Sequence, residues 1–238
     1  MDQVATGRNV LVTGGTGALG GAVVRAFAEA GAHVTVSWVS ERERDALRDE
    51  LGTAARAVRL VEADVTDADA VASLCAAAAE PDGRLEILVQ LVGGFAFGPI
   101  DETDPKTWRK MLALNATSTF LCAREAVKLM KSHGHGRIVT VAAVPAVNRG
   151  APSMSAYAAS KAAVLNLTQS LSKELVGHGI TVNAIVPTTI DTPANRAAMP
   201  DADRSTWLAP AAMAEVILWL AGDAAGIVTG TAVMLSKG

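Results

Sequence analysis

The segment Tyr157-Ala158-Ala159-Ser160-Lys161 sets a phenol and an ammonium four residues apart, which on a helix is one face. A free tyrosine titrates near 10, too high for efficient acid–base work at neutral pH. A neighbouring positive charge favours the phenolate and brings that value down. Tyr157 is the only tyrosine in the chain. Such a pair taken alone also fits an exposed helical Tyr/Lys contact, so its meaning depends on a second constellation. That is Thr13-Gly14-Gly15-Thr16-Gly17-Ala18-Leu19-Gly20, four glycines in eight positions. Residues without a side chain let the backbone bend sharply and let a pyrophosphate approach the N–H groups at the positive end of a helix. The first candidates for holding a nucleotide are therefore Gly14, Thr16, Gly17, Leu19 and Gly20.

The elements around these residues follow from periodicity. Val10, Leu11 and Val12 read as a buried strand before the turn; Val23, Val24 and Phe27 recur at helical spacing after it, and Gly31 is placed to end that helix. Strand and helix then alternate. Strands are predicted over Val34–Val39, Ala57–Val61, Leu85–Val92, Gly136–Val144, Ile180–Val186 and around Ala232–Leu235. Helices are predicted over Glu41–Leu51, Asp67–Ala79, Lys106 to about Ser132 (with Asp104-Pro105 as cap and first turn), Ser155–Val176 and Pro210–Ala221. The pattern is α/β: a Rossmann-type, doubly wound parallel sheet of about seven strands with helices on both faces, in one domain over residues 1–238. No linker, repeat or low-complexity stretch interrupts it.

At 238 residues such a domain buries about 70–75% of its unfolded surface. Half the residues are apolar, and the formal charge of −3 argues against nucleic acid or an anionic membrane as partner. Only Cys75 and Cys122 carry thiols, both in apolar helical contexts, which fits two reduced, buried side chains and a cytoplasmic location. No leader and no apolar run of membrane-spanning length is evident. His133 and His135 flank Gly134 in a turn and read as surface residues rather than metal ligands, since no carboxylate or thiol accompanies them; no metal is expected. Phe95, Phe97, Met199 and Trp207 fall in loops that border a substrate site.

Over nearly its whole length the chain resembles the short-chain dehydrogenase/reductase family. The turn Thr13-Gly14 to Gly20 is similar to the family's cofactor turn, and Asp64-Val65 to its adenine-contacting pair. Gln90-Leu91-Val92-Gly93 stands where the family has Asn-Asn-Ala-Gly, Asn115 matches its catalytic Asn, and Tyr157 and Lys161 match its acid–base pair. Pro187 to Thr192, with Pro187, Ile190 and Thr192 as binding residues, looks like its loop over the nicotinamide, and Val228-Thr229-Gly230 like its C-terminal strand motif. The resemblance implies hydride transfer between a nicotinamide cofactor and a small-molecule substrate. It implies that Tyr157 supplies the proton, that Lys161 lowers the tyrosine's pKa and holds the nicotinamide ribose, and that Asn115 holds a water linking Lys161 to solvent. It also implies a homodimer or homotetramer built on the two long helices.

Three departures matter. Ala18 replaces a family glycine, Thr188 replaces the glycine after the proline, and Ala143 stands where the resemblance puts a catalytic serine. Three explanations compete: Ser153 or Ser155 substitutes, as in an ordinary ketone or alcohol oxidoreductase; the substrate is so electron-poor that it needs no such donor; or the protein binds NAD(P) without catalysing and regulates. The loop Ile190 to Asp203, with Gly14–Gly20 and Val92-Gly93-Gly94-Phe95, is similar to the quinonoid dihydropteridine reductases, which favours the second explanation. Cofactor choice between NADP and NAD leans to NADP, because Ser37-Trp38-Val39-Ser40 carries no acid and Ser37 with Arg42 can accommodate a 2′-phosphate.

Overall fold

A computed structural model describes residues 4–80, 82–148 and 150–237. Seven strands form one parallel sheet: β1 (Asn9–Thr13), β2 (His33–Trp38), β3 (Val58–Glu62), β4 (Ile87–Gln90), β5 (Gly136–Val141), β6 (Ile180–Pro187) and β7 (Ala232–Leu235). Their spatial order is β3-β2-β1-β4-β5-β6-β7, every neighbouring pair parallel. The order reverses between β1 and β4, which is where such sheets open a crevice for ligands at the C-terminal strand ends. The residues of β1, β4 and β6 are all buried, as central strands covered on both faces must be.

Helices cover both faces. On one side α1 (Ala18–Glu29), α2 (Glu41–Leu51) and α9 (Pro210–Ala221) close a core around Phe27, Leu47, Ile217 and Leu220. On the other, α3 (Ala68–Ala78), α5 (Ser118–His133) and α7 (Ser155–Glu174) close a second core around Leu74, Met130 and Leu175. Cys75 and Cys122 are free thiols buried in that second core, and burial pushes Cys75 up to about 12. No helix among the described residues is long and apolar enough to cross a membrane.

The expected helix from Lys106 divides into α4 (Pro105–Met111), a π-turn over Leu112–Thr117, and α5. Beyond β5 the chain enters a short helix, α6 (Val144–Val147), instead of extending the strand to Val144, and α8 (Pro193–Ala198) forms in the loop after β6. His133 and His135 are half-buried with enclosed Nε2 atoms, which corrects their reading as surface residues. Desolvation, with Arg137 and Arg8 nearby, lowers His135 to about 4. No group of three or more metal-capable side chains exists among the described residues.

Candidate active site

The glycine turn is built for close approach. Gly14 has a left-handed φ of +69°, and a Cβ on it would lie 2.7 Å from the Val92 amide nitrogen. A Cβ on Gly15 would lie 2.6 Å from a methyl of Val36 in β2. The turn is thus pressed between β2 and the segment that leaves β4, and helix α1 springs from it without a side-chain cap or an acid in its first turn. Gly17, at the N-cap, and Ala18 are exposed, and Leu19 packs against the first core. An uncapped helix end with free N–H groups and a flush backbone fits a pyrophosphate, so these residues suit a dinucleotide.

The catalytic candidates converge at the far side of the crevice. Asn115 lies in the π-turn, fully buried. Its Nδ2 donates to Gly94 O (3.0 Å) and to Ser160 Oγ (2.9 Å), and its Oδ1 accepts from Gly94 N (3.0 Å). Single π-turns inside α-helices concentrate at functional sites. Here the carbonyls at the junction are taken by hydroxyls: Ser118 Oγ donates to Leu114 O (2.6 Å) and Thr119 Oγ1 to Asn115 O (2.7 Å). Gly93 is squeezed between two of the candidates, since a Cβ there would lie 2.7 Å from Asn115 Oδ1 and 3.2 Å from Lys161 Nζ. Sequence reasoning missed Ser160. It is fully buried, receives the Asn115 amide, and donates to the Tyr157 carbonyl at 2.7 Å, so it ties Asn115 to the turn of helix that carries Tyr157. Gln90 was read only as the first residue of the segment standing where the family has Asn-Asn-Ala-Gly, yet it links Thr13 Oγ1 (2.6 Å) with Ser118 Oγ (3.2 Å), joining the end of β1 to the start of α5 just after the π-turn.

The electrostatics correct one expectation. Burial pushes the Tyr157 phenol up from its ordinary value, and no opposing effect of Lys161 offsets it. The ammonium is turned to the Val141 carbonyl, to which Nζ donates at 2.7 Å, and its own burial lowers Lys161 to about 8. Helical spacing puts the two groups on one face, but the end of β5 decides where the charge goes. The consequence is a neutral phenol at physiological pH, suited to giving a proton rather than taking one. Tyr157 packs edge-on against Phe95, ring centroids 5.0 Å apart, and Phe95 itself is 61% exposed at the mouth of the site.

A pH dependence follows. If the Lys161 ammonium is required, kcat/KM for reduction should fall as pH rises through about 8, where the folded protein loses that proton. The Tyr157 phenol, raised by burial, stays protonated across the same window. Because kcat/KM reports ionisations of the free enzyme, an initial-rate profile at sub-saturating substrate checks this; a flat profile through pH 8 would show that the charge is not needed.

The remaining candidates divide. Pro187 is buried at the end of β6; Ile190 forms a bridge with Leu208, and its carbonyl accepts from Asn195 Nδ2 at 2.8 Å. Thr192 caps α8, its Oγ1 accepting from Asn195 N at 3.1 Å. These contacts tie the loop after β6 to α8 and to the segment around Leu208. Asp64 spends Oδ1 on the backbone and hydroxyl of Thr66 (2.9 and 2.7 Å), and Val65 is buried in the second core, so Val65 has only backbone to offer an adenine. The structural basis for a 2′-phosphate site is weaker than the sequence suggested. Ser37 is 4% exposed, enclosed within β2, because it lies one residue short of the strand's end. Arg42 is exposed and makes no hydrogen bond or ion pair among the described residues. Ser153 and Ser155 line a cavity of about 130 Å³ with Phe97, Glu102 and Thr103, which none of Ala143, Tyr157 and Lys161 borders. Ser155 Oγ has no hydrogen-bond partner, and Ser153, at a left-handed φ of +57°, is pinned by its carbonyl to Gly98 N (2.8 Å).

Comparison with known proteins agrees with this geometry. The family model described as short chain dehydrogenase matches residues 8–203. The chain is 35% identical to a cis-4-hydroxycyclohexanecarboxylate dehydrogenase of Sinomonas cyclohexanicum, over 100% of this chain and 98% of that one. It is 39% identical to an NAD(+) 2-dehydro-3-deoxy-L-rhamnonate dehydrogenase of a Sphingomonas species, over 79% and 74%. The solved structure of a short-chain type dehydrogenase/reductase from Mycobacterium ulcerans superposes with a TM-score of 0.91 at 28% identity, covering 97% of this chain and 89% of that one. A sheet in the order 3-2-1-4-5-6-7, a flush glycine turn and a Tyr–Lys–Asn cluster at the strand ends thus coincide with a family match over most of the length: the chain belongs to the short-chain dehydrogenase family and is an NAD(P)-dependent oxidoreductase.

Proposed function

We propose that the protein reduces an electron-poor cyclic substrate, with Tyr157 as proton donor and without a hydroxyl from the end of β5. The observation that carries this reading is Ala143. It is 4% exposed, lies two residues beyond β5 at the N-cap of α6, and brings only a methyl group to the place where the resemblance puts a serine. A bound nicotinamide supplies the hydride. The chain's own groups do the rest: the Tyr157 phenol, kept neutral by burial, holds the proton to be delivered, and Lys161 keeps a positive charge beneath the site up to about pH 8. Asn115 and Ser160 fix the helix turn that carries the phenol.

Losing one oxyanion-type donor costs about 2.7–4 kcal/mol, or 10²–10³ in rate. A substrate that gains aromaticity or conjugation on reduction can do without it, and the likeness of the Ile190–Asp203 loop to quinonoid dihydropteridine reductases points to a dihydropterin-like ring. The exposed Phe95, edge-on to Tyr157, supports a flat ring at the mouth. A second reading has support from the relatives, whose names describe dehydrogenases of ring alcohols and hydroxy or sugar acids: interconversion of an ordinary secondary alcohol and ketone. Replacement of the missing hydroxyl by Ser153 or Ser155 finds no contact in its favour, since both line the separate cavity. Assembly as a homodimer or homotetramer through the long helices is supported by the exposed Phe120 (50%) on α5 and Trp108 (41%) on α4.

The test is cofactor oxidation with quinonoid dihydropterin, quinone and simple cyclic ketones. Turnover of the first two classes and not the third is expected. Turnover confined to ketones would favour the second reading, and tight cofactor binding without any turnover would favour a regulatory protein. Ala143→Ser should raise ketone turnover by about 10²-fold, the rate equivalent of one restored donor; an unchanged rate would remove the missing-donor argument.

A further inference from the structure

We infer that Glu43 selects the cofactor and turns the site toward NAD(H) and away from its 2′-phosphorylated form. The inference rests on the dinucleotide reading of the glycine turn. In such sheets the adenosine ribose lies beside the turn, next to the end of the second strand, where an acidic residue normally bonds its 2′-OH. Here β2 ends in Trp38, and the residue after it, Val39, is 68% exposed, so neither offers a carboxylate. The carboxylate arrives from the following helix. Glu43 Oε2 accepts a hydrogen bond from Thr16 Oγ1 at 3.3 Å, across 27 residues of sequence, and so sits against the turn itself. Its backbone is fixed by the cap of α2, where Ser40 accepts from Glu43 N.

The competing cations are engaged or uncommitted. Arg44 stacks over Trp38, 4.7 Å from the ring centroid, and bonds Asp45 at 2.8 Å with Glu41 at 4.0 Å. Arg42, exposed in the first turn of α2, stands between Glu41 and Glu43 and makes no ion pair among the described residues. A second carboxylate, Glu50, lies against α1: a Cβ on Gly21 would be 3.2 Å from its Oε2. Among the described residues, Glu43 is therefore the charged side chain that touches the turn. A carboxylate can accept from ribose hydroxyls, which donate. A 2′-phosphate has no such proton to give at neutral pH and adds nearly two negative charges, which a carboxylate beside the ribose repels.

The experiment is equilibrium binding of NADH and NADPH, by fluorescence or calorimetry, to the full chain and to Glu43→Gln and Arg42→Ala. The unaltered protein should bind NADH at least about tenfold more tightly than NADPH, a preference of about 1.4 kcal/mol. Glu43→Gln should bring the two constants within about threefold, chiefly by tightening NADPH. Preference for NADPH in the unaltered protein, above all if Arg42→Ala abolishes it, overturns the inference and restores the arginine as the selector. A ratio unchanged in Glu43→Gln also overturns it while leaving the dinucleotide site intact. Failure to bind either cofactor overturns the reading of the site itself.

Discussion

Tyr157→Phe should lower kcat by about 10³-fold, within the 10²–10⁴ that a positioned proton donor supplies, while the dissociation constant of the reduced cofactor stays within about twofold. The substitution removes one hydroxyl and nothing else. The ring keeps its edge-on contact with Phe95. The hydroxyl has no hydrogen-bond partner among the described residues, so its removal strands no buried donor or acceptor, which is the usual reason such deletions destabilise. The Asn115–Ser160 tie runs to the Tyr157 carbonyl and not to its side chain, so the turn of helix is undisturbed. Melting temperature is therefore expected to hold within a degree or two, and the loss falls on kcat. Rapid-mixing kinetics with saturating cofactor, beside a titration of cofactor binding, separates the two quantities. A variant that still turns over within tenfold would mean the proton comes from elsewhere.

The strands were legible because a parallel sheet covered on both faces needs largely apolar runs, and Val10–Val12, Val34–Val36 (broken only by Thr35) and Val182–Val186 (broken only by Asn183) supply them. The glycine turn was legible for the same kind of reason: backbone pressed against β2 and the segment that leaves β4 has no room for side chains, so the composition itself records the packing. The π-turn was not legible. Over a single turn, hydrogen bonds spaced by five residues rather than four leave no mark on apolar periodicity; the only trace is a pair of hydroxyls, Ser118 and Thr119, placed to take the displaced carbonyls. Tertiary direction was equally hidden. Spacing puts Lys161 on the face of Tyr157, yet whether its ammonium meets the phenol or the Val141 carbonyl depends on where β5 ends. Glu43 lies on a helix whose charges, read in one dimension, belong to a solvated face, and its contact with Thr16 exists only after β2 and α1 have packed side by side. In each case the missed feature is a polar contact between elements distant in sequence, whereas the elements themselves follow from local apolar pattern.

Gly20→Ala is the second large effect, and its sign has to be decided between two opposed terms. Inside a helix, alanine is favoured over glycine by about 0.8–1.0 kcal/mol, and Gly20 lies in the first turn of α1. Against this, a Cβ at that position would run into the Gly14 carbonyl oxygen and stand 2.6 Å from the Gly15 Cα. Both obstacles are backbone, so no side-chain rotation relieves them. Gly14 cannot retreat, because it already lies against the backbone of Leu91 and Val92, and Gly15 is closed in by Val36 and Val24. The Gly14 carbonyl also accepts from Gly17 N at 3.2 Å, so pushing it away opens the turn. Overpacking of this kind typically costs 1–3 kcal/mol and sometimes more. Set against the helix preference, this leaves a net loss of up to about 2 kcal/mol, which for a chain of this size lowers the melting temperature by at most roughly 4–8 °C. Cofactor affinity should suffer more than stability does. The protein can relax by lifting α1 off β1, and that movement carries away the N–H groups that face a pyrophosphate. A fall of at least about 10²-fold in affinity is therefore expected. Gly17→Ala provides the contrast: there a Cβ would meet only the Gly14 oxygen, at an ordinary 3.5 Å, so the fold should be unharmed. Calorimetric melting and cofactor titration of the two variants decide the matter. Equal behaviour of both would mean that the turn tolerates a side chain where the structure leaves it no space.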